Sequence, residues 1–400
     1  MRRLVVSALL AAGLLVPGRA AIGDALPVCD GAWHVEPGPR DGQVLQAVSS
    51  RWIQGAWAVG WVYDATIGAR RTYIEHWNGT MWKRSASPNV DPSSTPGDNQ
   101  LFGVVGIGAD IWAVGGYAQP GDHTHSSGHF PLVMHDDGGG WVVVPADPAT
   151  GQATLYDVWQ VSPNDVWAVG SSWTGDRPVA EHWDGSAWHD VPVPDPTPYD
   201  DRLSAISGSA ADDLWAVGSA GGGFQTLAGH WDGSAWTRVP TPNQGAFHQA
   251  LADVSVRRDG RAFAVGSFDE DDTATDRTLV ERLTDAWTIQ PSPNPATARD
   301  VLLGVDRGPH NLQRFWAVGW RQESITGPER PLILHLGGGR WRVQRAPNPF
   351  PGGSTELVDV AVFGRATFDA VGALAVGNGF DEATGEGGAV ILRRCEPPPP

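Results

Sequence analysis

Trp167-Ala168-Val169-Gly170 and, a short way on, Glu181-His182-Trp183-Asp184-Gly185-Ser186-Ala187-Trp188 belong to one copy of a repeating unit. The first element returns as Trp57–Gly60, Trp112–Gly115, Trp215–Gly218, Phe263–Gly266, Trp316–Gly319 and Leu374–Gly377, with starts 55, 55, 48, 48, 53 and 58 residues apart. Strand-like units at such a period are the mark of a β-propeller. Seven copies predict an all-β fold, a seven-bladed β-propeller of four-stranded antiparallel blades.

Each unit reads as four strands. A short apolar strand comes first, as at Leu155–Val158, Leu203–Ile206 and Leu251–Val254. The Trp-Ala-Val-Gly strand is second. A third strand ends in His76, His135, His182, His230, Arg282, His335 or Arg393. A tight turn such as Asp184-Gly185 supplies the positive φ angles of a hairpin. The fourth strand opens on Trp82, Trp141, Trp188, Trp236, Trp287 or Trp341. From the motif glycine to the third-strand His or Arg the steps are 16, 20, 12, 12, 16, 16 and 16. They differ by multiples of four, so each hairpin arm grows by two and every side chain keeps its face. The second-to-third hairpin tips and the fourth-to-first connections share one face of the disc. Variable loops on a rigid scaffold are where binding sits.

The seventh copy holds three strands and ends at Cys395. Its fourth strand is expected at the other end of the chain, around Trp33, so that the N-terminal strand completes the last blade. Cys29 and Cys395 are the only cysteines. Aligned on the blade that ends in Trp341, both fall at the turn around Gly337, where a disulfide would replace the missing hairpin. Two unpaired thiols are the alternative.

The first 21 residues read as a signal peptide. Arg2 and Arg3 precede the apolar stretch Leu4–Val16, and small residues surround a cleavage point near Ala20. The propeller is assigned to residues 29–396 and a proline tail to 397–400. The chain is expected to be secreted, with a glycan or extracellular protein as partner. A net charge of −17 excludes nucleic acid and anionic membrane as partners. No cofactor is required by any motif, and a monomer is expected.

The Trp-Ala-Val-Gly strand followed by Glu181–Trp188 resembles kelch-type repeats, the galactose-oxidase-like propellers among them and, most closely, secreted kelch-like propellers of bacteria. The resemblance runs from Cys29 to Glu396. Val-Gly stands where kelch repeats carry a glycine doublet. The Asp-Gly-Ser-Ala-Trp hairpin is similar to the Asp-box of sialidase-type propellers without its Asp-x-Gly spacing. The resemblance carries over no catalytic residue. Copper chemistry of the galactose-oxidase kind uses a Tyr crosslinked to a Cys, and both cysteines here are assigned to closure. No sialidase arginine triad is recognisable.

The third-strand histidines recur once per blade, so they are spread around a ring and read as framework. Trp61, Tyr117, Trp173 and Trp320 lie at or just beyond the ends of motif strands, on the variable face, with Phe268 and Phe380 at neighbouring positions. They are candidates to stack on a sugar or anchor a protein; outer-hairpin packing is the alternative. The blade-two hairpin holds His123, His125 and His129, a set that suits a divalent metal or an ordinary solvated loop. The acidic run Asp269–Asp272 lacks the order of a calcium loop. Asp157, Asp253 and Asp359 share one innermost-strand position in alternate blades, either holding a cation or water in the channel or capping a strand near the axis. The reading drawn from these features is a binding propeller, with a carbohydrate-active enzyme, a glycoside hydrolase or polysaccharide lyase, as the alternative.

Overall fold

The computed structural model describes residues 29–38, 42–52, 55–90, 97–118, 129–245, 247–271, 275–307, 315–364 and 372–395. The segment read as a signal peptide, residues 1–21, and the prolines at 397–400 lie outside them. Seven four-stranded antiparallel sheets form a ring of blades. Blades 1 to 6 span residues 43–85, 99–144, 153–190, 202–238, 249–289 and 299–344. Blade 7 spans 354–395 and is completed by Trp33–Val35. One 3-10 turn, Pro148–Thr150, is the sole helical piece among the described residues.

The motif is apolar throughout because its strand is buried on both faces. In Asp165–Ser172, Ala168 joins the core shared with blade 2, while Trp167 and Val169 join the core shared with blade 4. The motif position faces the third-strand His or Arg in every blade. Trp57 pairs with His76, Trp112 with His135, Trp167 with His182 and Leu374 with Arg393, whatever the hairpin height. The tips therefore vary without disturbing the register below them.

Tryptophans knit neighbouring blades. The fourth-strand indole of one blade meets the motif ring of the preceding blade edge-on: Trp141 on Trp57 at 5.4 Å, Trp188 on Trp112 at 5.4 Å and Trp236 on Trp167 at 5.8 Å. Such edge-to-face pairs add to plain area burial. The third-strand histidines are framework, as expected. His182 stacks on Trp167 at 4.3 Å and shares a hydrogen bond with Asp165 at 2.9 Å. His230 repeats this with Trp215 and Asp213.

Around the axis, acidic side chains latch one blade to the next. Asp157 accepts from Val158 N at 2.8 Å in its own strand and from Ile206 N at 2.8 Å in blade 4. Asp253 does the same with Val254 and, in blade 6, Val305; Asp359 with Val360 and, in blade 1, Val48. The strand-capping alternative is the one observed. The neighbour that receives each latch carries Ala47, Ala205 or Gly304 at the matching register position. A second register, two residues further on, serves two of the remaining interfaces. Asp306 accepts from Val362 N at 2.7 Å and Ser207 from Val256 N at 3.1 Å. Burial pushes the Asp157 carboxyl up to about 7 and Asp306 to about 6. Asp359 reaches about 7, by burial first and then by the charges of Asp157 and Asp306.

The motif glycines have a steric cause. A bulge follows the repeated leucine of each first strand, as between Leu155 and Asp157. It drives a backbone carbonyl at the second strand, so a Cβ on Gly170 would stand 1.9 Å from Thr154 O. No side-chain motion relieves a clash with backbone. Gly170→Ala should destabilise by about 3 kcal/mol, the upper end for overpacking, read by urea unfolding. A loss below about 0.5 kcal/mol, the ordinary range for innocuous changes, would show that the bulge relaxes.

The face opposite the variable tips is not uniformly short-turned. Two residues separate Ile107 from Asp110 in blade 2, but seven separate Arg307 from Phe315 in blade 6 and eight separate Phe363 from Gly372 in blade 7. The third-to-fourth turn nearly keeps its length: four residues lie between the fourth-strand Trp and its third-strand partner in blades 1, 3, 4 and 6, and three in blade 5.

Candidate functional site

The variable face carries a cavity of about 630 Å³ where blades 6, 7 and 1 meet. Glu356 comes from the first strand of blade 7, Asn378 and Phe380 from its second strand, and Glu329 from the approach to the third strand of blade 6. Gln43 and Val44 close it from blade 1. Asn378 fixes the floor. Its Oδ1 accepts from Leu45 N at 2.9 Å, and its Nδ2 donates to Leu45 O at 3.1 Å and to Glu356 Oε1 at 3.4 Å. Phe380 stands 49 % exposed at the rim.

Both glutamates are raised above their ordinary value. Burial pushes Glu356 up, against the Asn378 hydrogen bond. Burial, then the charge of Glu356, pushes Glu329 up, against Arg299. The pocket thus combines two raised carboxyls, an anchored amide and an open aromatic ring.

The four aromatic candidates lie at the ends of second strands, on this same face. Trp61 pairs with Val44, which lines the cavity, and the Arg70 guanidinium lies 4.5 Å over its ring. Arg70 in turn donates from its backbone N to Asp98 at 2.7 Å, crossing to blade 2. Tyr117 is half-buried and stacked on Phe130 at 5.6 Å, and burial pushes its hydroxyl pKa up. Trp173 is 41 % exposed and its Nε1 donates to Thr154 Oγ1 at 2.9 Å. Trp61, Tyr117 and Trp173 therefore occupy successive blades. Trp320 stands apart from that row, half-buried on blade 6 and paired with Val301 and Pro331.

His129 is buried, edge-on to Trp173 at 5.6 Å, which ties blade 2 to blade 3. His123 and His125 lie outside the described residues, and so does Asp272. Among the described residues no group of three or more His, Cys, Asp or Glu side chains is arranged to hold a metal. Glu270 is paired with Arg277 at 3.3 Å.

Sequence reasoning named Phe380 but missed Glu356, Glu329 and Asn378. A signal existed for one of them. Glu356 precedes Leu357, whereas Val44, Gln100, Thr154, Arg202, Ala250 and Val301 occupy that position elsewhere, none of them acidic.

By sequence, no protein family and no curated protein matches the chain. Solved structures match by shape. YCF48 from Cyanidioschyzon merolae is 13 % identical at a TM-score of 0.52, over 91 % of this chain and 98 % of that one. A mutant of Trypanosoma rangeli sialidase displaying trans-sialidase activity is 10 % identical at 0.46, over 90 % of this chain and 58 % of that one. Aleuria aurantia lectin in complex with alpha-methyl-L-fucoside is 11 % identical at 0.43, over 75 % and 96 %. At 13 % identity the likeness to YCF48 concerns the fold alone, and the chain's own seven sheets make it a seven-bladed β-propeller. Its ring is closed by its own N-terminal strand and a disulfide.

Proposed function

We propose that this is a secreted, monomeric, kelch-like propeller that works by binding, with a glycan held on the variable face. The observation that carries the reading is the cavity between blades 6, 7 and 1. A flat exposed ring, Phe380, stands beside Glu356, Glu329 and Asn378. A sugar has an apolar C–H face and a rim of hydroxyls, and this combination matches both. Trp61, Tyr117 and Trp173 extend the aromatic surface away from the cavity along blades 1 to 3, the direction a longer chain would take. An extracellular protein is the other partner this face suits. The net charge of −17 speaks against nucleic acid or anionic membrane. The leader-like first 21 residues and the Cys29–Cys395 bond support an extracytoplasmic setting.

Screening against a glycan array, followed by calorimetry, tests this. Phe380→Ala and Trp61→Ala should each weaken the bound glycan by on the order of 1–3 kcal/mol, the range of an interface anchor. Phe380→Ala should leave the unfolding temperature unchanged, because the ring is exposed. Unchanged affinity in both variants would refute the location.

A second reading rests on the two raised glutamates. Glycosidic bond cleavage uses a pair of carboxyls, one of them with a raised pKa. If the protein is a hydrolase or lyase, Glu356→Gln should abolish product release while leaving binding in place. Wild-type protein that binds a polysaccharide and releases no product supports the binding reading.

A further inference from the structure

The central channel is a cavity of about 840 Å³ whose lining holds both aspartates and arginines. Each first strand starts at the variable face and ends at the opposite face. The latch carboxylates Asp157, Asp253 and Asp359 lie midway. Arg257 follows Asp253 by four residues, roughly 13 Å further along an extended strand. With Arg258, and with Arg307 of blade 6, it lines the far mouth of the channel. Three guanidiniums and the Asp259 carboxylate therefore line one opening of a chain whose net charge is −17.

Their partners do not balance. Arg257 is used: its Nε lies 3.3 Å from Asp259 Oδ1. Among the described residues, neither Arg258 nor Arg307 has a carboxylate within 4.0 Å. Arg258 is exposed and Arg307 half-buried. Burial, and the charges of Arg258 and Arg257 against those of Asp306 and Asp259, leave the Arg307 pKa below its ordinary value. A partly buried cation held beside two others is unfavourable unless something anionic joins it. Asp306 is the largest of these charges and favours the cation, but its carboxylate makes no ion pair with Arg307 within 4.0 Å. Its carboxylate is engaged by Val362 N at 2.7 Å and by Arg307's own backbone N at 2.7 Å.

We propose that this far mouth is a binding site for a tetrahedral oxyanion, a sulfate or phosphate group, taken by the Arg258 and Arg307 guanidiniums. The planar fork of guanidinium donors matches two oxygens of such a group. The site faces away from the aromatic cavity, and the inference stands whether or not a glycan binds there.

Calorimetry on the full-length protein, with chloride holding ionic strength constant, tests it. The probes are sodium sulfate, sodium phosphate, glucose 6-sulfate and glucose 6-phosphate. One equivalent of oxyanion should bind. Equal affinity for the free ions and the esters identifies a site that reads the oxyanion alone, and tighter ester binding identifies a site for a substituted sugar. Arg258→Gln should bind about tenfold more weakly or worse, the loss of a charged hydrogen bond, and its exposed position keeps the fold intact. Arg258→Gln with Arg307→Gln should bind nothing, and Arg307→Lys should fall between. Absence of binding by wild type to all four probes overturns the proposal. So does undiminished affinity in Arg258→Gln.

Discussion

Deleting residues 29–38 should leave a ring that does not hold at physiological temperature. Opening the disulfide alone should leave one that does. Trp33–Val35 supplies the fourth strand of blade 7, with Trp33 opposite Arg394 and Val35 opposite Leu392. Trp33 is buried edge-on against Trp316 of blade 6 at 5.4 Å. Glu36 pairs with Arg393, and both side chains are about nine-tenths buried or close to it. The deletion removes the anchor indole and bares the edge of Glu386–Cys395. It also strands a buried guanidinium, which by itself costs about 3–5 kcal/mol. The disulfide acts differently. Cys29 and Cys395 are 366 residues apart in sequence, and their Cα atoms are 4.6 Å apart. The chain-entropy account gives on the order of 6 kcal/mol for closing so long a loop. That corresponds to an unfolding temperature lower by roughly 5–10 °C in a chain of this size. Thermal unfolding followed by tryptophan fluorescence separates the cases. Cys29→Ser with Cys395→Ser should melt cooperatively at the lower temperature. The deletion should fail to show a cooperative transition. A deletion variant melting within a few degrees of wild type would mean that blades 1 to 6 hold the ring without a closed seventh.

The architecture was legible because a blade's second strand is buried on both faces. That double burial forces the same short apolar word, ending in a glycine the bulge demands, seven times. Closure was legible for a related reason: blade 7 ends one strand short, and the only two cysteines sit at the gap. Side chains that act across blades were harder to read. Asp157, Asp253 and Asp359 share one register and could be lined up by eye. Asp306 does the same work two residues further on, and so does Ser207, so no column of the repeat contains the full set. The cavity residues are less visible still. Glu329, Glu356, Asn378 and Gln43 converge from three blades, and the ring brings residue 43 beside residue 378. Nothing periodic marks them. The charged mouth is also off the pattern, because Arg257, Arg258 and Arg307 sit where the first strands stop repeating.

Stability should fall as pH rises from about 5 to about 8, the reverse of an acid-labile protein. The cause is a set of buried carboxyls whose folded pKa values lie above their unfolded ones. Burial pushes Glu281 up to about 8, and neither of its oxygens meets a donor among the described residues. Burial pushes Glu181 and Asp300 to about 7. Asp157 and Asp359 stand near 7, and Asp253 is raised by burial and by the charges of Asp359 and Asp157. For an acid with a raised folded pKa, the stabilisation is complete below the unfolded value near 4. It is lost as pH climbs through the folded value. Each such carboxyl contributes on the order of 1–3 kcal/mol between pH 5 and 8. His76 opposes weakly, since burial holds its pKa down and acid must charge it. Below about pH 4 the exposed turn carboxylates Asp184 and Asp232 reverse the trend. Serine hydroxyls and turn amides hold them below the usual range, so protonating them costs stability. The unfolding temperature should therefore peak between about pH 4 and 5. Glu281→Gln isolates one contributor, because the amide stays neutral throughout. It should match wild type at pH 5, exceed it at pH 8, and flatten the slope between. An unfolding temperature that holds level or rises from pH 5 to pH 8 would show that these carboxyls ionise in the folded ring at their ordinary values.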